Sequence, residues 1–217
     1  MGLWDWLFGA KQPTPQVLDR VWFSDAALWA NLRKELDTEL GCGRHVILVA
    51  HFPQRWEQIT QWLDQQELEF EDWQPRDWRE LREPFASGPG RIWLLPSKDV
   101  PNLDPQLDPP GPPLEVTVMA TEHHPHAAGD EPLHRLEAGL PAAGGVVVQS
   151  AVDHPMFAPM QNLQTILESV GMTEDESIET SIVTRQLARL QQRNARTAGA
   201  LQPADSAADW IRLNLVK

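Results

Sequence analysis

The chain contains no tyrosine and a single cysteine, Cys42, among its 217 residues. One cysteine excludes an internal disulfide and a cysteine-ligated zinc site, and fits a reducing, cytoplasmic setting. Cys42 lies between Gly41 and Gly43 with Arg44 and His45 as its cationic neighbours in sequence, and reads as a small residue at a helix end rather than an activated thiol. Positive charge is scarce: 18 Lys and Arg stand against 31 Asp and Glu, a net charge of −13. That balance disfavours binding through nucleic-acid phosphates and adhesion to anionic lipid. No stretch approaches the roughly 20 apolar residues of a membrane span. The start, Met1-Gly2-Leu3-Trp4-Asp5-Trp6-Leu7-Phe8, lacks the basic region of a signal peptide, and Trp6 stands where a myristoylation motif needs Ser or Thr. Neither a Gly-x-x-x-x-Gly-Lys-[Ser/Thr] loop nor a Gly-x-Ser-x-Gly elbow occurs, so the sequence offers no phosphate cradle and no hydrolase nucleophile.

What is present is globular: 41% hydrophobic and 23% charged residues. Residues 19–23 are a short strand candidate, and Ser24 caps a helix with Ala27, Leu28, Leu32 and Leu36 on one face, ending near residues 41–43. Residues 45–50 are the most continuous apolar run, as a strand buried on both faces requires. A helix follows over 53–66 with Trp56, Ile59, Trp62 and Leu63 on its inner stripe. An alternating strand at 68–73, a helix over 77–85 and a strand at 91–95 come next. Residues 96–113 are a proline-rich connection carrying Asp99, Asp104 and Asp108. These acids, with Glu115, read as solvated loop charges rather than a cation or acid–base site.

The organising stretch is 114–149: strand, polar turn, helix over 130–140, and a second strand at 146–148. Its turn, Thr121-Glu122-His123-His124-Pro125-His126, falls at a strand's carboxyl end, where open α/β sheets bind ligands. Beyond it, a helix over 158–170 and a helix start at Thr173-Glu174-Asp175-Glu176, a capping-box pattern, precede an amphipathic helix over 182–196 with Ile182, Leu187 and Leu190 inward. The chain closes on the apolar run 210–216. Alternating strands and helices predict an α/β fold, a parallel sheet with helices on both faces. The division expected is an apolar segment and linker at 1–16, an α/β domain at 17–157, and a helical extension and tail at 158–217.

Several segments resemble one family. Residues 171–185, Gly-Met-Thr-Glu-Asp-Glu-Ser-Ile-Glu-Thr-Ser-Ile-Val-Thr-Arg, are similar to the segment after the second motor lobe of SecA, the bacterial preprotein translocase ATPase. Ala120-Thr121-Glu122-His123-His124 resembles that family's Gly-Thr-Glu-Arg-His, and Ser150-Ala151-Val152-Asp153 its Ser-Leu-Glu-Asp. The resemblance covers about residues 17–196 and implies a three-layer, RecA-like helicase C-terminal lobe with a helical extension. The departures bear on activity. Leu95-Pro96-Ser97-Lys98-Asp99 replaces the family's Gly-Arg-Gly-Thr-Asp, and residues 132–139 replace its Gln-x-x-Gly-Arg-x-Gly-Arg. Arg135 falls at or beside one arginine site; the other falls at Ala138 or Gly139. An arginine of this kind is worth about 10³–10⁵ in rate.

The resemblance therefore implies a degenerate lobe with no ATPase activity and no cofactor, in which Glu122, His124 and Arg135 are vestiges of a nucleotide-facing surface. It implies a protein-interaction module linked to protein export, its partner a translocation component or an ATPase. Two other readings remain: a regulator completing a separate nucleotide-binding lobe in trans through Arg135, and a metalloenzyme built on His123, His124 and His126, with Glu122, Asp130 and His134 near in sequence, whose spacing matches no established ligand geometry. Trp4, Trp6, Leu7 and Phe8 are a candidate partner or membrane contact.

Overall fold

The computed structural model describes residues 17–86, 88–102, 112–160, 173, 175–179 and 181–215. Asp104, Asp108, the Trp-rich start and most of the helix expected over 158–170 lie outside these residues, as does the side chain of Ile182.

Seven strands form one sheet: β1 Leu18–Trp22, β2 His45–Ala50, β3 Phe70–Asp72, β4 Ile92–Pro96, β5 Val116–Ala120, β6 Val146–Ala151 and β7 Ser177–Ile178. Their order is β3-β4-β2-β5-β6-β1-β7. All pairs are parallel except β1–β7, in which Val21 opposes Ile178 across an antiparallel edge. The α/β fold class read from the sequence is present. Among the described residues no helix is long and apolar enough to cross a membrane.

Strand periodicity sorts the core into two layers. Ile47, Val49, Trp93, Leu95, Val116, Val118, Val146 and Val148 point to one face, under α3 (Trp78–Arg82, with Trp78 and Leu81) and α4 (Glu131–Gly139, with Leu133 and Leu136). Val46, Leu48, Ala50, Ile92, Leu94 and Met119 point to the other, under Leu32 and Leu36 of α1 (Asp25–Gly41) and Ile59 and Leu63 of α2 (Pro53–Gln65). Val21 of β1 packs with Leu187 and Leu190 of α5 (Ser181–Thr197). The tryptophans share this work in pairs and clusters. Trp29 meets Trp62 with ring centroids 5.2 Å apart, and Trp73 and Trp93 surround Phe85. Their indole N–H groups find partners, Trp22 at Gln149 Oε1 and Trp78 at Asn102 O, as buried indoles require.

The helix starts follow local chemistry. Ser24 Oγ accepts from Ala27 N at 3.1 Å at the head of α1, and Asp77 caps α3 by accepting from Glu80 N. α2 has no side-chain cap; instead Gln54 N donates to Asp205 O, in the segment leading to α6 (Ala207–Asn214). The capping-box expectation at 173–176 is corrected. Thr173 N does donate to Glu176 Oε2, at 2.9 Å, but the turn leads into β7 and not into a helix. Local side-chain reciprocity closes a turn equally well when pairing with β1 is available beyond it.

Leu48 is wholly buried between α1 and α2. Leu48→Ala is expected to lower unfolding free energy by about 2–5 kcal/mol in urea titration, with an unchanged m-value.

Candidate functional site

β2 and β5 lie side by side and parallel, yet their outgoing connections diverge, β2 towards β3 at one edge and β5 towards β6 in the opposite direction. The crevice outside their carboxyl ends is the ligand position of an open α/β sheet. Here its walls are His51 and Arg55 from the β2–α2 junction, residues 121–124 after β5, and Asp130 at the head of α4.

Asp130 is the hub. Its carboxylate is 2.6 Å from His123 Nδ1 and accepts from His124 N at 2.8 Å and from Gln191 Nε2 of α5 at 2.6 Å. His51 Nε2 lies 3.2 Å away, in ion-pair range without the alignment of a hydrogen bond. The second nitrogen of His123 lies 3.2 Å from Asp19 Oδ1 of β1, again close but poorly aligned. His123 thus sits between two carboxylates, and all three residues are 5–7% exposed.

Electrostatics divides the two adjacent histidines. Burial alone would drive His123 neutral, but the charge and hydrogen bond of Asp130, then Asp19, outweigh it and raise its pKa from 6.5 to about 9. Burial opposes ionisation of Asp130 too, and the His123 charge holds it well below 3.8; Asp19 is lowered by His123 in the same way. His124 goes the other way, to about 4, through burial and the neighbouring His51. Its Nδ1 lies 3.0 Å from His126 N and 3.2 Å from His126 O, so the His126 backbone holds the ring in place. The ring stacks on Phe52 at 5.0 Å and meets Trp210 of α6 edge-on at 5.3 Å. Gly129 permits this packing, since a Cβ there would fall 2.0 Å from the His124 ring.

Arg55 closes the crevice from the β2 side. Nε donates to Thr121 Oγ1, Nη2 to Thr121 O and Asp25 Oδ1, and Nη1 to Gln58, while the guanidinium covers Trp29 at 4.6 Å. Asp25 N in turn donates to Asp153, at the head of α1. Next to Thr121, Glu122 is 5% exposed; its Oε2 lies 3.5 Å from His154 Nε2 and its Oε1 has no hydrogen-bond partner.

The sequence-derived candidates therefore separate. Glu122 and His124 stand at the crevice. Arg135 is turned to the β4–β5 connection, where Nη2 donates to Val100 O at 3.2 Å. His123, His124 and His126 do not converge: the first is taken up by carboxylates, the second is held by the backbone of the third, and His126 Nδ1 accepts from Ala128 N. Among the described residues no group of three or more His, Cys, Asp or Glu is placed to hold a metal ion. Cys42 is exposed at the end of α1.

Asp19, His51, Arg55 and the α6 cover were not singled out from the sequence, and Asp130 was weighed there only as a metal ligand. Asp130 offered one signal, a carboxylate seven residues after a histidine at a helix start. Arg55 and Asp19 offered none, because their roles arise from sheet order.

No family model matches the chain, and no curated protein matches it. Among solved structures, the C-terminal part of the Fun30 ATPase domain is similar at 12% identity and a TM-score of 0.40, over 76% of this chain and 52% of that one. The chain thus spans about half the length of that structure.

A raised His123 pKa stabilises the fold fully below pH 6.5, and this contribution is lost as pH climbs through 9. Unfolding free energy is expected to fall across that window by up to about 1.4 kcal/mol per pH unit, one proton's worth. His123→Gln is expected to flatten the slope and to cost about 3–5 kcal/mol at pH 6, since it leaves two carboxylates facing a neutral group. Urea titrations from pH 6 to 10 read both.

Proposed function

We propose that this chain is a non-catalytic, motor-lobe-like α/β domain that works as a protein-interaction module. The observation that carries the reading is the state of the crevice: the chain's own side chains and C-terminal segment cover part of it, and an acid-lined cleft is what remains. Arg55, the one Lys or Arg among the described residues lining the cleft at residues 121–122, has four of its five N–H donors committed to Thr121, Gln58 and Asp25. Asp25, Glu122 and Asp153 line the same cleft, and three carboxylates repel a polyphosphate. Over the neighbouring part, Trp210 and Ala207 of α6 pack on Phe52. Asn214 anchors the segment by accepting from Gln202 N at 2.6 Å and donating to Gln202 O at 3.1 Å.

The link to SecA and to protein export rests on the sequence resemblance alone. The candidate partner is a translocation component or an ATPase, and the candidate contact at Trp4, Trp6, Leu7 and Phe8 belongs to the same proposal. Action in trans through Arg135 gains no support, since that guanidinium donates to Val100 O within its own chain.

Purified protein is expected to show no saturable ATP or ADP binding by calorimetry and no hydrolysis above background with Mg²⁺. ATP turnover abolished by Arg135→Ala would overturn the reading. Trp210→Ala is expected to loosen residues 198–215, seen as faster amide exchange there, while the sheet stays protected; unchanged exchange would contradict the covering role of α6.

A further inference from the structure

The cleft of about 290 Å³ beside the switch point is lined by Asp25, Arg55, Thr121, Glu122, Asp153 and His154, among others. We propose that it receives a cationic side chain, arginine or lysine, from a partner protein; this deepens the interaction-module reading and rests on it.

Glu122 is only half paired. A buried carboxylate is normally paired on both oxygens, because each unpaired oxygen keeps a desolvation cost that nothing offsets. Glu122 is 5% exposed and Oε1 has no partner. Its other oxygen faces His154 Nε2 at 3.5 Å, too far for a good hydrogen bond. The His154 ring is held in one orientation, since Nδ1 accepts from Met156 N at 3.3 Å, which places the ring proton on Nε2. The histidine therefore faces Oε2 without closing a hydrogen bond, and Oε1 beside it has no donor, so the carboxylate that lines the cleft is left unsatisfied.

The remaining wall selects the sign and shape of what completes that pair. Three carboxylates stand against one guanidinium that is already committed within the chain. An anion is repelled, and an incoming positive charge offsets one of the two negative charges that Arg55 leaves unmatched. Ala151, Pro155, Ala207 and Ala208 offer apolar surface to an aliphatic stem, and Gln54 and Gln58 offer amides near the charged head. A long stem carrying a terminal cation matches both features. Ser206, Ala207 and Ala208 belong to the start of α6, so the same segment that covers the crevice shapes this opening.

The test is an NMR titration of the full chain with N-acetyl-argininamide, N-acetyl-lysinamide, agmatine and ADP. Saturable shifts in the millimolar range, centred on residues 121–122 and 151–155, are expected for the two amides and none for ADP. Glu122→Gln is expected to weaken amide binding about tenfold or more, and to raise the thermal midpoint of the unliganded protein because the unpaired charge is gone. His154→Gln weakens it less, and Glu71→Gln, on a distant exposed pair, leaves it unchanged. Three results would overturn the proposal: no saturable shift from either amide, equal affinity in Glu122→Gln, or agmatine binding more than about tenfold tighter than N-acetyl-argininamide, which would mark a small free cation as the occupant. The underlying reading fails separately. Amide binding without any protein partner in copurification contradicts the interaction module alone, whereas a partner bound equally by wild type and Glu122→Gln contradicts this site alone.

Discussion

A buried carboxylate at the head of α4 holds the carboxyl end of the sheet together. Asp130 is 5% exposed and draws on the end of β2 through His51, the turn after β5 through His123 and the His124 backbone, and α5 through Gln191. A carboxylate so far from water stays ionised only if its neighbours supply compensating charge and donors. His123 supplies the charge, and Asp19 on the far side keeps it protonated. Three strands and two helices are thereby tied to one ionic cluster whose members cannot be removed singly without leaving a buried charge exposed to low dielectric.

That cluster also decides what the crevice can do. His124 is neutral, stacked on Phe52 and edge-on to Trp210, while its neighbour His123 is an ion. The ligand position of an open α/β sheet thus becomes a packed junction on one side and, beyond the Arg55–Thr121 clamp, an acid-lined cleft on the other.

Much of the sheet was legible from residue order. Residues 45–50 and 146–148 are continuous apolar runs because β2 and β6 are buried on both faces, and Ser24 marked its helix start by capping chemistry that needs no tertiary context. What local rules cannot supply is the identity of distant partners. The pattern at Thr173 and Glu176 satisfies itself locally whether a helix or an edge strand follows, so pairing with β1 decides. Trp56 and Trp62 keep the expected stripe but are only half-buried, while Arg55 is buried because Thr121 and Asp25 wait across the crevice. The histidine turn lies at a strand end, as its position in the sequence predicts, but the ion pair that takes up His123 depends on Asp19, more than a hundred residues earlier in the chain.

The protonation of the paired histidines at pH 7.5 tests the account most directly, by nitrogen-15 NMR of the imidazole rings. His123 is expected with protons on both nitrogens, persisting until the pH nears 9, beside a neutral His124 that carries one ring proton and gains a second only near pH 4. A His123 ring that is neutral at pH 7.5, or that titrates near 6.5 like an exposed histidine, would contradict the Asp19–His123–Asp130 cluster and the packed junction built on it.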